Sequence, residues 1–365
     1  MQTTDLDTPF LSVDGDIMER NLHTMAEYAD HVLVSTDVSE AIALRPHAKT
    51  HKSPRIARRQ LELGAVGLTV ATVSEAELFA DEGCTDLFLA YPIWADGERG
   101  LRLRQLADRV SLRVGVDSAE GASMLGTALR GAPAEVVIEI DSGQRRSGVP
   151  PENAADIARA VAGTGLTVAG VFTFPGHSYG PGVARQTASD DEAIALRSAA
   201  ESLRAAGFPS DLRSGGSTPS VATAHRDAVT ELRPGVYVFN DAQQVELGVC
   251  SWTDVALWAV GTVVSRRGQR FILDTGSKVL GADRPPWVTG FGRLPDHPEA
   301  RITALSEHHA TVEFSDGSPV PKLGSRVRVV PNHVCTAVNL ADELVVVSGD
   351  DVRERWPVAA RGANT

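Results

Sequence analysis

The octapeptide Arg45-Pro46-His47-Ala48-Lys49-Thr50-His51-Lys52 concentrates the groups best suited to covalent chemistry. A lysine stands between two histidines and close to Arg45 and Lys52. Neighbouring positive charge favours the neutral amine of Lys49, as burial does. A neutral lysine amine is a nucleophile toward carbonyl carbons. The run Ala41-Ile42-Ala43-Leu44 ahead of the octapeptide, and the helix-like Ser53 to Leu63 behind it, place it at the C-terminal end of an early strand. If it is extended, His47, Lys49 and His51 share one face. A solvated basic loop or an anion-binding patch is the plain alternative for these eight residues alone.

A second chemical stretch is Pro331-Asn332-His333-Val334-Cys335. If extended, His333 and Cys335 point the same way, and imidazole plus thiolate suits a zinc-class ion. Two ligands leave the open positions that catalysis requires. A core cysteine beside a satisfied histidine is the plain alternative. Glu307-His308-His309 reads as a solvated strand end at His308, while His309 is open to three readings: a further ligand, a partner supporting a ligand, or a solvated strand end. A third stretch, Ser214-Gly215-Gly216-Ser217-Thr218, reads as an anion cradle, with an ordinary turn as the plain alternative. Its glycines let backbone N–H groups approach, its hydroxyls donate, and Pro219 suits the first turn of a helix. Cys84 and Cys250 read as packing residues, and His23, His31, His225 and His297 as surface groups.

These stretches need a scaffold. Short apolar runs alternate with helix-forming segments across the first two thirds of the chain: Ala41–Pro46, Gly67–Ala71, Asp86–Tyr91, Val110–Val116, Glu135–Ile140, Thr167–Phe172, Asp211–Ser214 and Val236–Phe239. Parallel strands in a (β/α)8 TIM-like barrel follow from that rhythm. Barrels carry their chemistry at the C-terminal ends of the strands, and often a phosphate after strands seven and eight. The octapeptide falls after strand one and the Gly-Gly-Ser-Thr turn after strand seven. From Trp258 onward the pattern becomes period two with turns between the runs, which reads as an antiparallel β domain. The expected division is a barrel over 15–245 and a β domain over 246–365 that includes the N-terminal strand 8–14.

The totals exclude several classes. The chain has 365 residues, 42% hydrophobic, and a net charge of −12. Nucleic-acid and anionic-membrane partners do not suit that charge. Three scattered cysteines make no disulfide framework. With neither a signal-like start nor a membrane-length apolar run, the expected location is cytoplasmic.

Several stretches together resemble the D-threonine aldolase / D-serine dehydratase family, fold-type III pyridoxal-phosphate (PLP) enzymes with an alanine racemase-type N-terminal barrel. The octapeptide resembles its PLP-lysine segment, and Asp141-Ser142-Gly143-Gln144-Arg145-Arg146-Ser147-Gly148-Val149 its strand-five segment. Ser214–Thr218 resembles its phosphate loop, Arg233-Pro234-Gly235-Val236-Tyr237-Val238-Phe239 its last barrel strand, and Pro331–Cys335 with Val338-Asn339-Leu340 its metal-binding segment. In strand six, Phe174 stands where the family often has histidine, and His177 lies three residues on.

The resemblance implies roles. Lys49 forms the Schiff base with PLP and then serves as base at the substrate Cα, with His47 and His51 as neighbours able to tune it. Arg146 lies near the cofactor ring. Gly216, Ser217, Thr218 and Tyr237 hold the phosphate. His333 and Cys335 bind a divalent metal, Zn or Mn, near the β-hydroxyl of a D-3-hydroxy amino acid. The family resemblance further implies a homodimer with shared active sites. Cys335 resembles the dehydratases of the family, since its aldolases typically carry aspartate there. The expected activity is therefore that of a D-serine dehydratase-like ammonia-lyase, with D-threonine aldolase and amino-acid racemase as the alternatives.

Overall fold

The structure is a computed structural model that describes residues 1–30, 42–315 and 317–365. His31 and Ala41, read above as a surface group and the head of a strand, lie outside the described residues. The chain forms two compact units. One comprises Met25–Lys49, Ile56–Gly235 and Ala363–Thr365; the other comprises Met1–Thr24, Thr50–Arg55 and Val236–Gly362.

Numbered along the chain, β1 is Phe10–Asp14. The first unit is built on β2 (Ala43–Leu44), β3 (Leu68–Val70), β4 (Asp86–Pro92), β5 (Ser111–Val116), β6 (Ala134–Glu139), β7 (Thr167–Phe172), β8 (Leu212–Gly215) and β9 (Glu231–Leu232). These eight strands pair in the order β2-β9-β8-β7-β6-β5-β4-β3, all in parallel. A parallel bridge between His47 and Thr69 joins the two ends. The Thr69 N–H donates to Pro46 O at 2.8 Å and the His47 N–H to Pro234 O at 3.0 Å. The expected parallel barrel is therefore present and closed. Two of its helices start at hydroxyl caps: Thr72 accepts from the Glu75 N–H and Ser118 from the Gly121 N–H.

Two expectations about this unit are corrected. The eighth strand is Glu231–Leu232, whereas Val236–Val238 forms a 3-10 turn. The segment between β8 and β9 has only the 3-10 turn Val221–Thr223 where a helix was expected.

The barrel interior combines apolar and charged groups. Phe88 and Phe172 meet edge to face at 5.1 Å, and the Arg233 guanidinium sits over both rings. Arg45 is 1% exposed. Its Nε donates to Glu231 Oε2 at 2.7 Å and its Nη1 to Asp86 Oδ1 at 2.6 Å. The Ser214 hydroxyl donates to Glu231 Oε1 at 2.6 Å. Every buried charge in this group thus has an opposite charge or a hydrogen bond, which burial demands.

The second unit contains β1, β10 (Leu257–Arg267), β11 (Arg270–Leu273), β12 (Arg301–Leu305), β13 (Ala310–Glu313), β14 (Arg326–Val329), β15 (Glu343–Ser348) and β16 (Asp351–Pro357). Their order is β12-β13-β11-β10-β1-β15-β16, with β14 also on β10. All pairs are antiparallel except β1 with β15, where Ser12 stands opposite Val345. The N-terminal strand is thus an interior member of the C-terminal sheet. The hairpin β10–β11 turns through Gly268, whose φ of 59° suits a residue without Cβ.

Candidate active site

Lys49 lies in a 3-10 turn, Ala48–Thr50, directly after the seam residue His47. The octapeptide is therefore not extended, and the expected shared face of His47, Lys49 and His51 does not follow from strand alternation. What the turn does is set the Lys49 Nζ 5.9 Å from the centroid of Phe174. The Arg146 guanidinium stands 5.3 Å from the same ring. Arg146, Phe174, Ser142, Gln144 and Glu139 line one cleft at the C-terminal end of β6. Glu139 is 3% exposed, and burial raises its pKa against Ser147 and the charge of Arg146. The Lys49 amine, the Arg146 guanidinium and an aromatic face thus converge beside a polar cleft. His177 is turned toward the helix Ala184–Ala205, its Nε2 lying 3.2 Å from Asp191.

The Gly-Gly-Ser-Thr turn follows β8 as expected, but its donors point differently. The Gly216 N–H donates to Glu192 Oε1 at 2.7 Å, and the Ser217 N–H to Ser220 Oγ at 2.9 Å. Neither amide faces outward to an anion. Hydroxyls gather instead: Ser217 Oγ lies 2.9 Å from both Ser178 Oγ and Ser220 Oγ, with Thr218 buried alongside in the chain. Gly216 takes a φ of 77°, and a Cβ there would meet Leu232 at 2.7 Å. Glycine is therefore required by backbone and packing together.

Glu192 was not anticipated. It is 0% exposed, and its Oε2 has no hydrogen-bond partner. Burial pushes its carboxyl up to about 7, against the Gly216 N–H, Arg233 and His225. A signal for it was present. Glu192 falls between Ala188 and Leu196 at helical spacing, on the buried stripe of Ala184–Ala205.

In the second unit, Tyr237 is 4% exposed within the Val236–Val238 turn. His333 is the N-cap of a helix, Val334–Leu340, which carries Cys335 in its first turn. Alternation therefore does not relate His333 to Cys335 either. The wholly buried Asp241 lies 3.3 Å from His333 Nδ1 and also accepts the Val334 N–H at 3.0 Å. Its other oxygen caps the helix Ala242–Glu246 through the Gln244 N–H at 2.9 Å. Burial pulls the His333 pKa down, but the charges of Cys335 and Asp241 outweigh it and leave it well raised. Thr50 Oγ1 lies 3.2 Å from Cys335 Sγ. Lys52 donates to Asn339 Oδ1 at 2.7 Å, on the same helix as Cys335. Imidazole and thiol, each beside a polar support, form a donor pair that fits a borderline-soft divalent ion. Among the described residues no three His, Cys, Asp or Glu side chains form a larger ligand set.

Residues 13–243 match the family described as alanine racemase, N-terminal domain, and residues 256–347 the putative serine dehydratase domain. The chain belongs to this fold-type III PLP lyase family of dehydratases and aldolases. It is 35% identical to D-threo-3-hydroxyaspartate dehydratase of Delftia sp. (strain HT23), across 96% of this chain and 97% of that one. It is 34% identical to D-threonine aldolase of Arthrobacter sp, across 98% and 93%. The crystal structure of D-threonine aldolase from Filomicrobium marinum superposes with a TM-score of 0.88 at 33% identity, covering 98% of this chain and 97% of the other. No helix among the described residues is long and apolar enough to cross a membrane.

Proposed function

We propose that this protein is a PLP- and divalent-metal-dependent lyase of D-3-hydroxy amino acids, and within that class a dehydratase that releases ammonia and a 2-oxo acid. The observation that carries the reading is the His333–Cys335 donor pair, with Asp241 beside the imidazole and Thr50 beside the thiol. PLP, when bound, supplies an electron sink at the substrate Cα. Lys49 is assigned to hold it through Nζ and, once released, to take the Cα proton, with His47 as its neighbour. Arg146 supplies positive charge beside the ring. Ser217, Thr218 and Tyr237 are assigned to the phosphate by hydroxyl donation, and Gly216 shapes the turn that presents the first two. His333 and Cys335 would hold the metal, whose chemistry at the site would be polarisation of the β-hydroxyl.

The second reading is retro-aldol cleavage to glycine and an aldehyde. It stands because the dehydratase and aldolase relatives are similar to this chain to nearly the same degree, 35% and 34% identical. Incubation with D-serine, D-threonine and D-threo-3-hydroxyaspartate, followed by product identification, decides between the two. A 2-oxo acid plus ammonia supports the dehydratase, and glycine plus an aldehyde overturns it. Activity that survives complete chelation removes the metal role.

A further inference from the structure

Beneath the turn that follows β8, one carboxyl has no place in the chemistry above. Glu192 projects from the helix Ala184–Ala205 and is wholly buried. Its Oε1 accepts the Gly216 N–H at 2.7 Å, and Oε2 has no hydrogen-bond partner. The neighbouring Gly215 leaves room for it, since a Cβ there would stand 2.4 Å from Oε1. The contact is thus built into the loop from both sides. Among the described residues, Arg233 and His225 are the charged or titratable groups that act on Glu192. Arg233, after β9, spends its guanidinium on Ser214 Oγ and Thr173 O. His225, in the β8–β9 connection, is engaged by Asp190 at 2.7 Å. On its own helix, Asp190 and Asp191 are taken by His225 and His177.

We propose that Glu192 is the positioning residue of the phosphate loop and that it supports the cofactor phosphate in its protonated form, so that phosphate binding is accompanied by proton uptake at Glu192. The inference rests on the cofactor reading above. An ionised carboxylate and a phosphate dianion on the same short loop repel each other in a poorly solvated site. The neutral carboxyl removes that repulsion while its carbonyl oxygen keeps the Gly216 N–H. The unpartnered Oε2 is the atom that takes the proton from solvent. The ordinary carboxyl range is already left behind in the protein without ligand, because burial raises Glu192 to about 7. The bound phosphate raises it further. The affinity for the phosphate therefore falls as pH rises above that value, by up to about tenfold per pH unit.

The test uses the full-length protein freed of carbonyl cofactor. Pyridoxine 5′-phosphate, which cannot react with Lys49, is titrated by calorimetry at pH ~7.5 in buffers of different ionisation enthalpy, which counts protons. Unphosphorylated pyridoxine and the variant Glu192→Gln are run in parallel. The expected result is proton uptake by the wild type with the phosphate ester, lost with pyridoxine and lost in Glu192→Gln, which still binds the ester. Equal proton counts in the wild type and Glu192→Gln overturn the inference alone. Failure of the wild type to bind the phosphate ester overturns the cofactor reading and the inference with it. Should Glu192→Gln not fold, the two ligands on the wild type decide the matter. Equal counts for both again refute a proton tied to the phosphate.

Discussion

Replacing Asp241 by asparagine separates support of a metal-binding imidazole from mere helix capping. Asp241 Oδ2 stands 3.3 Å from His333 Nδ1 and accepts the Val334 N–H at 3.0 Å, while Oδ1 accepts the Gln244 N–H at 2.9 Å. A carboxylate this close to Nδ1 would favour the proton there and make Nε2 the more basic nitrogen. Asparagine retains one carbonyl oxygen and can cap either amide, not both. The lost cap costs about 1 kcal/mol of stability. The lost charge costs metal affinity, and such supports are worth roughly 10–100-fold. The 3.3 Å contact is longer than a strong charge-assisted bond, which puts the effect near tenfold, or about 1.4 kcal/mol. The assay is titration of the metal-stripped protein with Co²⁺ against a competing chelator, read by thiolate-to-metal absorbance. Cys335→Ser serves as the variant that loses the thiolate band. If Asp241→Asn binds Co²⁺ as tightly as the wild type while Cys335→Ser loses it, the carboxylate support of His333 is refuted.

Two other substitutions have defined outcomes. Lys49→Ala is expected to lose the visible absorbance of covalently held cofactor together with all activity, and a retained band would remove Lys49 from its role. Glu231→Ala strips Arg45 of one buried partner and Ser214 of its acceptor, leaving Asp86 to balance the guanidinium. Breaking a buried pair in this way costs about 3 kcal/mol, which equilibrium denaturation would read as a lower midpoint at unchanged slope, and an unchanged midpoint would show that solvent takes over the role of Glu231.

The long apolar runs of β4 to β7 were legible because strands of six or seven residues with three or four consecutive buried positions leave a clear trace. The eighth strand was misplaced because it is two residues long and begins with a charged one, Glu231, whose burial depends on Arg45 far back in the chain. The more conspicuous apolar run Val236–Phe239 is buried, but most of it forms a 3-10 turn. Alternation failed at both chemical segments for one reason. Lys49 sits in a 3-10 turn and Cys335 in the first turn of a helix, and neither local geometry shows in the spacing of two polar residues. Asp241 and Thr50 gain their meaning only from contacts with His333 and Cys335 dozens to hundreds of positions away. Glu192 alone could have been found, as an acid on an otherwise apolar helical stripe.

The wall of the barrel is uneven around its circumference. β2 and β9 contribute two residues each and β3 three, while β4 has seven. Few ladder bonds hold the stave that leads into Lys49, and side-chain charges around Arg45 stand in for them. Local opening runs along the stretch with the fewest protected amides. Hydrogen exchange should therefore begin at Leu44, His47 and Leu232 and reach the β4–β7 arc last. A variant that weakens the Arg45 cluster would let Lys49, the lysine assigned above to the cofactor, lose its fixed position well before the protein unfolds, a form of inactivation that a melting curve would not register.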